Sequence, residues 1–176
     1  EAYFRDGNYA EARAILLDLY NISALDSTPE GNLISYDIAW CYFKEGDGKN
    51  ALRWVNNYLE TPSPESGADA ETRIADCHFM AKDYRKAATA YERKMKDYPD
   101  ADDLYPALRG GVACGLLSDK AGRIRFLEAA KDAPPTAELW PEAMYELGRA
   151  YVAAGNNDAA IKAFDKLRVN TDDKTI

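Results

Sequence analysis

The 176 residues contain a single histidine, three cysteines and three methionines. One histidine leaves little material for imidazole catalysis or a histidine-rich metal site. Three cysteines, an odd and small number, argue against a disulfide framework. No apolar run approaches the roughly 20 residues that a membrane-spanning helix needs. Positive charge is also in the minority: 22 Lys and Arg stand against 30 Asp and Glu, for a formal net charge of −8. Nucleic acid and anionic membrane surfaces call for the opposite balance. What is present suffices for a packed domain, since 47% of the residues are hydrophobic and 30% charged, which excludes disorder of the whole chain. The length fits one domain, or one segment of an array.

Self-similarity is the dominant signal. Met144, Leu147, Gly148 and Tyr151 fall on one face of a helix at i, i+3, i+4 and i+7. Gly155-Asn156-Asn157-Asp158 then ends that helix and caps the next. Ala160 and Phe164 continue on one face of the second helix. Upstream, Ile74 and Ala75 stand where Leu147 and Gly148 stand, followed by Asp83-Tyr84, Ala87, Tyr91 and Pro99. Before them come Ile38, Ala39, Tyr42, Gly46, Ala51, Val55 and Pro62. Between Asp103 and Pro135 the match is weaker: Gly111, Leu127, Ala130 and Pro135 fit, but Arg123 stands where a small residue is expected. Tyr3, Phe4, Gly7, Tyr9 and Ala12 match the latter part of a unit.

This pattern resembles the tetratricopeptide repeat family, whose unit reads W-x2-L-G-x2-Y…A-x3-F…P. Met144 replaces the tryptophan and Asp172 falls where proline would stand. The resemblance covers nearly the whole chain. It implies an all-α fold, a right-handed superhelical solenoid of antiparallel helix pairs. The expected layout over 1–176 is a partial repeat at 1–31 and repeats at about 32–66, 67–102, 103–136 and 137–172, with helix pairs near 1–21, 32–60, 67–97, 103–132 and 137–169. Longer connections are expected at 23–31 and 61–67. A first helix opened in mid-course and no evident polar cap at the other end suggest a fragment of a longer repeat chain.

Candidate chemistry is thin. Cys41, Cys77 and Cys114 are spaced 36 and 37 residues apart, the local repeat period. Rows of stacked helices spread such residues too far for a disulfide, which needs Cα atoms within about 7 Å. They read as small buried packing residues. His78 adjoins Cys77, but neighbours on a helix diverge, so the two do not make a catalytic pair. Residues 45–49, EGDGK, lack the spacing of a phosphate loop or a calcium loop and read as a turn. Gly110-Gly111 reads as a close helix contact. Asn21-Ile22-Ser23 is a glycosylation sequon by pattern, and the pairs Asp102-Asp103 and Asp172-Asp173 read as solvated ends. No set supports catalysis, and neither a cofactor nor a metal is expected.

The functional colour lies in aromatic and basic residues on first helices. Tyr36, Trp40 and Phe43 form an i, i+4, i+7 stripe apart from the packing face, flanked by Lys44. Phe79, Tyr105 and Tyr145 are expected on the same side of later units, with Arg73, Arg109 and Arg149 nearby. Such residues are the usual anchors of interfaces. The family resemblance implies that this side is a concave groove for a peptide or protein. The competing reading has the stripe pack against an adjoining repeat. A lysine-rich clamp for C-terminal carboxylates is not matched: Tyr36, Trp40, Thr72, Arg73 and Asp76 occupy that region. The leading expectation is a non-enzymatic protein-interaction scaffold. The resemblance to tandem repeat proteins of bacterial envelopes implies a periplasmic or outer-membrane-associated setting. The rivals are glycan stacking on Trp40 and Tyr36, as in carbohydrate-uptake proteins, self-association through open repeat ends, and recruitment for an enzyme whose active site lies elsewhere.

Overall fold

The computed structural model of the chain describes residues 2–22, 28–60, 67–100 and 103–172. The expected connections at 23–31 and 61–67, and with them Pro62, Asp102, Asp173 and the sequon's Ser23, lie wholly or largely outside the described residues. Within them, all regular structure is α-helical. The elements are α1 (Ala2–Arg5), α2 (Tyr9–Tyr20), α3 (Pro29–Lys44), α4 (Gly48–Tyr58), α5 (Gly67–Met80), α6 (Tyr84–Asp97), α7 (Tyr105–Leu116), α8 (Lys120–Leu127), α9 (Ala129–Asp132), α10 (Trp140–Ala153) and α11 (Asn157–Asp172). They group into two compact units, Glu1–Asp83 and Tyr84–Ile176.

One turn, repeated, sets the register of the chain. Gly7, Gly46, Lys82, Ser118 and Gly155 all have φ between 59 and 80°. In each case the next amide closes a hydrogen bond to the carbonyl five residues back: Asn8 to Tyr3, Asp47 to Tyr42, Asp83 to His78, Asp119 to Cys114 and Asn156 to Tyr151. This left-handed stop ends a helix by satisfying its orphan carbonyls. The polar residue that follows starts the next helix. Asp47 Oδ1 accepts the Asn50 amide at 3.1 Å, Asp119 Oδ1 that of Gly122 at 2.8 Å and Asn156 Oδ1 that of Ala159 at 3.2 Å. These three-residue reversals fold α3 back on α4, α7 on α8 and α10 on α11 as packed pairs.

The turns also settle the weak third repeat. Cys114 stands at the position of Tyr42 and Tyr151, and Gly111 at that of Gly148. Cys41 and Cys77 lie one residue earlier, so the three cysteines are not strictly equivalent. Arg123 does occupy the alanine position held by Ala51 and Ala160. Buried Gly122 beside it supplies the missing space: a Cβ there would lie 2.9 Å from Cys114 Sγ. Arg123 extends past Gly115 instead and pairs with Glu146 at 2.6 Å.

In the first unit α2 packs on α3, α3 on α4 and α4 on α5. Ile38, Ala39, Cys41, Ala51, Val55 and Tyr58 are buried along these seams. Arg13 of α2 bridges to α3, pairing with Glu45 and lying 4.4 Å over the Tyr42 ring. In the second unit a continuous core runs from Leu104 to Ala163, with Leu127, Trp140, Met144 and Leu147 at its centre. The Trp140 indole donates to the Ala130 carbonyl at 3.0 Å, so its one polar atom is satisfied inside the core. Buried Lys94 is paired with Asp103.

Candidate partner-binding face

The register shows which of the expected anchor residues are equivalent. Tyr36 and Tyr145 share one position on their helices, Trp40 and Arg149 a second, Phe43 and Phe79 a third, and Arg73 and Arg109 a fourth. Tyr105 stands one turn ahead of the first of these. The expected face is therefore made of different residue types from helix to helix.

In the first unit the stripe is a connected ladder. Tyr36 stacks on Tyr58 at 4.8 Å between ring centroids and meets Trp40 edge-on at 6.4 Å. Trp40 meets Phe43 edge-on at 5.6 Å. Tyr36 is buried, and its hydroxyl donates to Asp69 of α5. Burial, then the hydrogen bond to the Asp69 carboxylate, push the Tyr36 phenol above its ordinary value, so it remains a donor. Trp40 and Phe43 are half-buried, with Arg73 of α5 laid across both at 5.0 and 5.1 Å from the ring centroids. Arg73 also pairs with Asp76 at 2.6 Å and approaches Asp69 at 3.6 Å. Two rings and two carboxylates thus hold it in a cation–π and ion-pair node. Arg73 and Tyr36 join α3 to α5, and this part of the stripe is a helix-to-helix contact. Phe79 is half-buried on α5.

The other side of Trp40 is open. Lys44 lies 5.2 Å over its ring. Trp40, Lys44 and Asp37 form one wall of a groove of about 640 Å³, whose other walls are Tyr3, Phe4 and Arg5 of α1 and Ala12, Ile15, Leu16 and Leu19 of α2. The lining is mostly apolar, with charges at its margin.

In the second unit the four expected residues differ in exposure. Tyr105 is half-buried, 6.5 Å from the Tyr91 ring, and Arg109 is half-buried on the next turn of α7. Tyr145 and Arg149 are exposed on α10, with the guanidinium 5.9 Å from the ring. Tyr145 leans on Phe164 at 6.0 Å, and Arg149 pairs with Glu146 at 2.8 Å. Three first helices therefore carry an aromatic residue followed four positions on by a cation: Trp40/Lys44, Tyr105/Arg109 and Tyr145/Arg149. That spacing places both side chains on one helix face.

The remaining reactive groups are withdrawn. Cys41, Cys77 and Cys114 are free and buried. Burial raises all three thiols above their ordinary value, that of Cys77 to about 12. His78 is half-buried at the position that Tyr42, Cys114 and Tyr151 hold in other repeats. Among the described residues no three His, Cys, Asp or Glu side chains converge as a metal-ligand set, and no helix is long and apolar enough to cross a membrane.

Sequence reasoning missed two sets of residues here. Asp69 and Asp76 hold Arg73, and their i−4 and i+3 spacing to it was the available signal. Ile15 and Leu19, which wall the groove, carry no sequence signal beyond apolar character on a second helix. Only their exposure in three dimensions sets them apart.

The comparisons with known proteins agree with this geometry. Family models described as tetratricopeptide repeat match residues 1–67, 69–101 and 142–170. The stretch between 101 and 142, which they leave out, is the repeat in which cysteine, serine and arginine replace tyrosine, glycine and alanine. No curated protein sequence matches significantly. Among solved structures, a crystal structure of MamA aligns over 98% of this chain and 94% of its own, at 17% identity and a TM-score of 0.76. A Podosopora anserina protein with nearly identical TPR-like repeats aligns over 99% of this chain and 92% of its own, at 16% identity and a TM-score of 0.72. At these identities the likeness is one of fold, the all-α helix-pair class expected from the sequence. The helix pairs, the repeated left-handed turn and the family matches together establish that the chain belongs to the tetratricopeptide repeat family.

Proposed function

We propose that the chain is a non-enzymatic scaffold that binds a peptide or protein segment through the first-helix face of its repeats. The observation that carries this reading is the aromatic–cation pair at i, i+4 on α3, α7 and α10, with both members exposed at Tyr145 and Arg149. Aromatic rings offer apolar area at low entropic cost, and a neighbouring cation adds directional pairing to a carboxylate. On a chain of net charge −8, such cationic spots select a segment that alternates apolar and acidic side chains. The envelope setting implied by the family resemblance belongs to the same proposal, and fractionation of the source cells tests it. Buried thiols without a nearby partner would tolerate an oxidising compartment.

The binding test is selection from a displayed peptide library, followed by fluorescence-anisotropy titration of the selected peptides. The expected ligands carry Asp or Glu beside a large apolar residue. The double variant Tyr145→Ala/Arg149→Ala should weaken them at least tenfold, about 1.4 kcal/mol, with an unchanged circular dichroism spectrum. Equal affinity for parent and variant would remove α10 from the binding face. A glycan panel read by tryptophan fluorescence provides the comparison with sugar stacking.

A further inference from the structure

At the α7–α8 turn a large residue is exchanged for a small one and, beside it, a small residue for a large one. Counted from the left-handed residue of each turn, the position three before it holds Phe4, Phe43, Phe79 and Val152, but Gly115 on α7. The position five after it holds Ala12, Ala51, Ala87 and Ala160, all buried, but Arg123 on α8. The two exchanges meet in space: a Cβ on Gly115 would lie 3.6 Å from Arg123 Cδ and 3.8 Å from its Nη1. A third position is also small. Ala153 of α10 stands where Lys44, Met80 and Leu116 stand on other helices.

The arginine does not fill the space that these exchanges open. A pocket of about 210 Å³ remains, lined by Gly115, Ser118, Lys120, Arg123, Ala150 and Ala153. Its lining side chains are two cations, one hydroxyl and two methyl groups, with no carboxylate. Arg123 gives Nη2 to Glu146 at 2.6 Å, while Nη1 lies on the Gly115 side. Glu146 also accepts from exposed Arg149 at 2.8 Å, so two guanidinium groups share one carboxylate. Lys120 has no acidic partner among the described residues. Adjacent Asp119 gives Oδ1 to the Gly122 amide. The pocket therefore carries an excess of positive charge on a chain of net charge −8, and Glu146 links it to the Tyr145–Arg149 face.

We infer that this pocket receives a carboxylate side chain, an Asp or Glu of the segment bound by the Tyr145–Arg149 face, with Arg123 and Lys120 as its donors. The inference rests on the reading that α10 carries the bound segment, and it adds where that segment's acidic residue goes. A partly enclosed site strengthens such pairing over an open surface contact, which is worth little. The middle of the pocket lies about six residues along α10 from Tyr145, or about 10 Å. An extended chain covers that distance in about three residues. The acidic residue of the ligand therefore stands about three positions from the apolar residue that meets the Tyr145 ring.

Two variants separate the pocket from the Arg123–Glu146 pair. Lys120→Gln removes one cation and leaves that pair intact. Ala153→Met fills the pocket with the residue type that α5 carries there as Met80, and leaves every charge in place. Both positions are exposed, so each variant should melt within about 2 °C of the parent. The first measurement is an acetate titration at constant ionic strength, followed by NMR of backbone and arginine N–H groups. Saturable shifts are expected at Gly115, Ser118 and Arg123 Nε, with Kd of about 5–50 mM, and they should vanish in Ala153→Met. The second uses the peptides selected above. Replacing their acidic residue by its amide should weaken binding to the parent about tenfold, but less than about twofold in Lys120→Gln/Ala153→Met. No acetate shifts at those groups, or shifts unchanged by Ala153→Met, would overturn the inference whatever the peptides do. Tighter binding of inorganic phosphate than of acetate would overturn it in favour of a phosphoryl group. Peptides that need Tyr145 and Arg149 but ignore both pocket variants would sink the inference and leave the binding face standing. Acetate binding without any peptide that needs Tyr145 and Arg149 would sink that face, and with it the assignment of the carboxylate to a bound segment.

Discussion

The Phe164 ring occupies the space beside Gly148 that a side chain would need: a Cβ built on that glycine would lie 2.4 Å from Phe164 Cε1. The two residues close the α10–α11 pair, and their counterparts Gly111 and Leu127 close α7 on α8, where the corresponding separation is 3.0 Å. Gly110 meets buried Phe126 at 2.4 Å in the same way. Glycine in these helices is a packing requirement rather than a backbone one.

This gives a prediction of opposite signs within one helix. Alanine normally gains about 1 kcal/mol over glycine in a helix. At Gly110 the added methyl has nowhere to go, because Phe126 is held in the core, and overpacking costs about 1–3 kcal/mol. At exposed Gly115 the nearest atom would be Arg123 Cδ at 3.6 Å, an ordinary contact. Urea denaturation should therefore show Gly110→Ala destabilised and Gly115→Ala slightly stabilised. Equal effects at both sites would contradict the close helix approach.

Much of this was legible in the sequence. The Leu147-Gly148-x-x-Tyr151 face, the Gly155-Asn156 stop and cap, and the small residues at Ala39 and Ala75 follow from helical period and turn chemistry alone. The third repeat was less legible because its chemistry is displaced by one residue, with Gly122 doing what alanine does elsewhere and Arg123 reaching outward. The candidate binding face was the least legible. Period places Tyr36, Trp40 and Arg73 on helix faces, but whether a face meets solvent or the next helix depends on how pairs stack. Two carboxylates on α5 decide that question for Arg73.

The left-handed turns give a second prediction. Lys82 and Ser118 adopt φ of 60 and 59°, where their counterparts in other repeats are glycines. A side chain in that region costs about 1–2 kcal/mol, and glycine returns part of the gain through the entropy of the unfolded chain. Lys82→Gly and Ser118→Gly should each stabilise by about 0.5–1 kcal/mol. The reverse change, Gly46→Ala, should destabilise by a similar amount. Thermal melts of the three variants check the signs, and a loss of stability on introducing either glycine would count against the turn geometry.

The cysteines give a third. With the Cys77 thiol pushed up to about 12 by burial, almost none is thiolate at pH 8.5, where an ordinary cysteine is about half ionised. Iodoacetamide should leave the native chain nearly unlabelled at that pH and label all three cysteines in guanidinium, read by intact mass. The same shift has a sign for stability. The unfolded chain releases these protons first, so stability is unaffected below about pH 8 and falls as pH rises from there towards 12. Rapid native labelling of Cys77 would show that the α3–α5 region opens readily.

Arg73 gives the last prediction, because its role and its sequence-based expectation point to different experiments. A partner anchor would be dispensable for folding. Arg73 instead faces Asp76, which is 3% exposed, and its guanidinium covers the Trp40 and Phe43 rings. Removing one member of a buried pair strands the other charge, which costs about 3–5 kcal/mol. Arg73→Leu should approach the lower end of that range, since Arg73 itself retains some solvent contact. Asp76→Asn alone strands the guanidinium less, because Asp69 remains beside it. In the double variant Arg73→Leu/Asp76→Asn no buried charge is left unpaired, since Asp69 is 45% exposed and keeps the Tyr36 hydroxyl, so the combined loss should fall well short of the sum of the single losses. A double-mutant cycle in urea measures that coupling. A coupling near zero, with Arg73→Leu costing less than about 1 kcal/mol, would mean that the pair is a solvated surface contact and would return Arg73 to the candidate binding face.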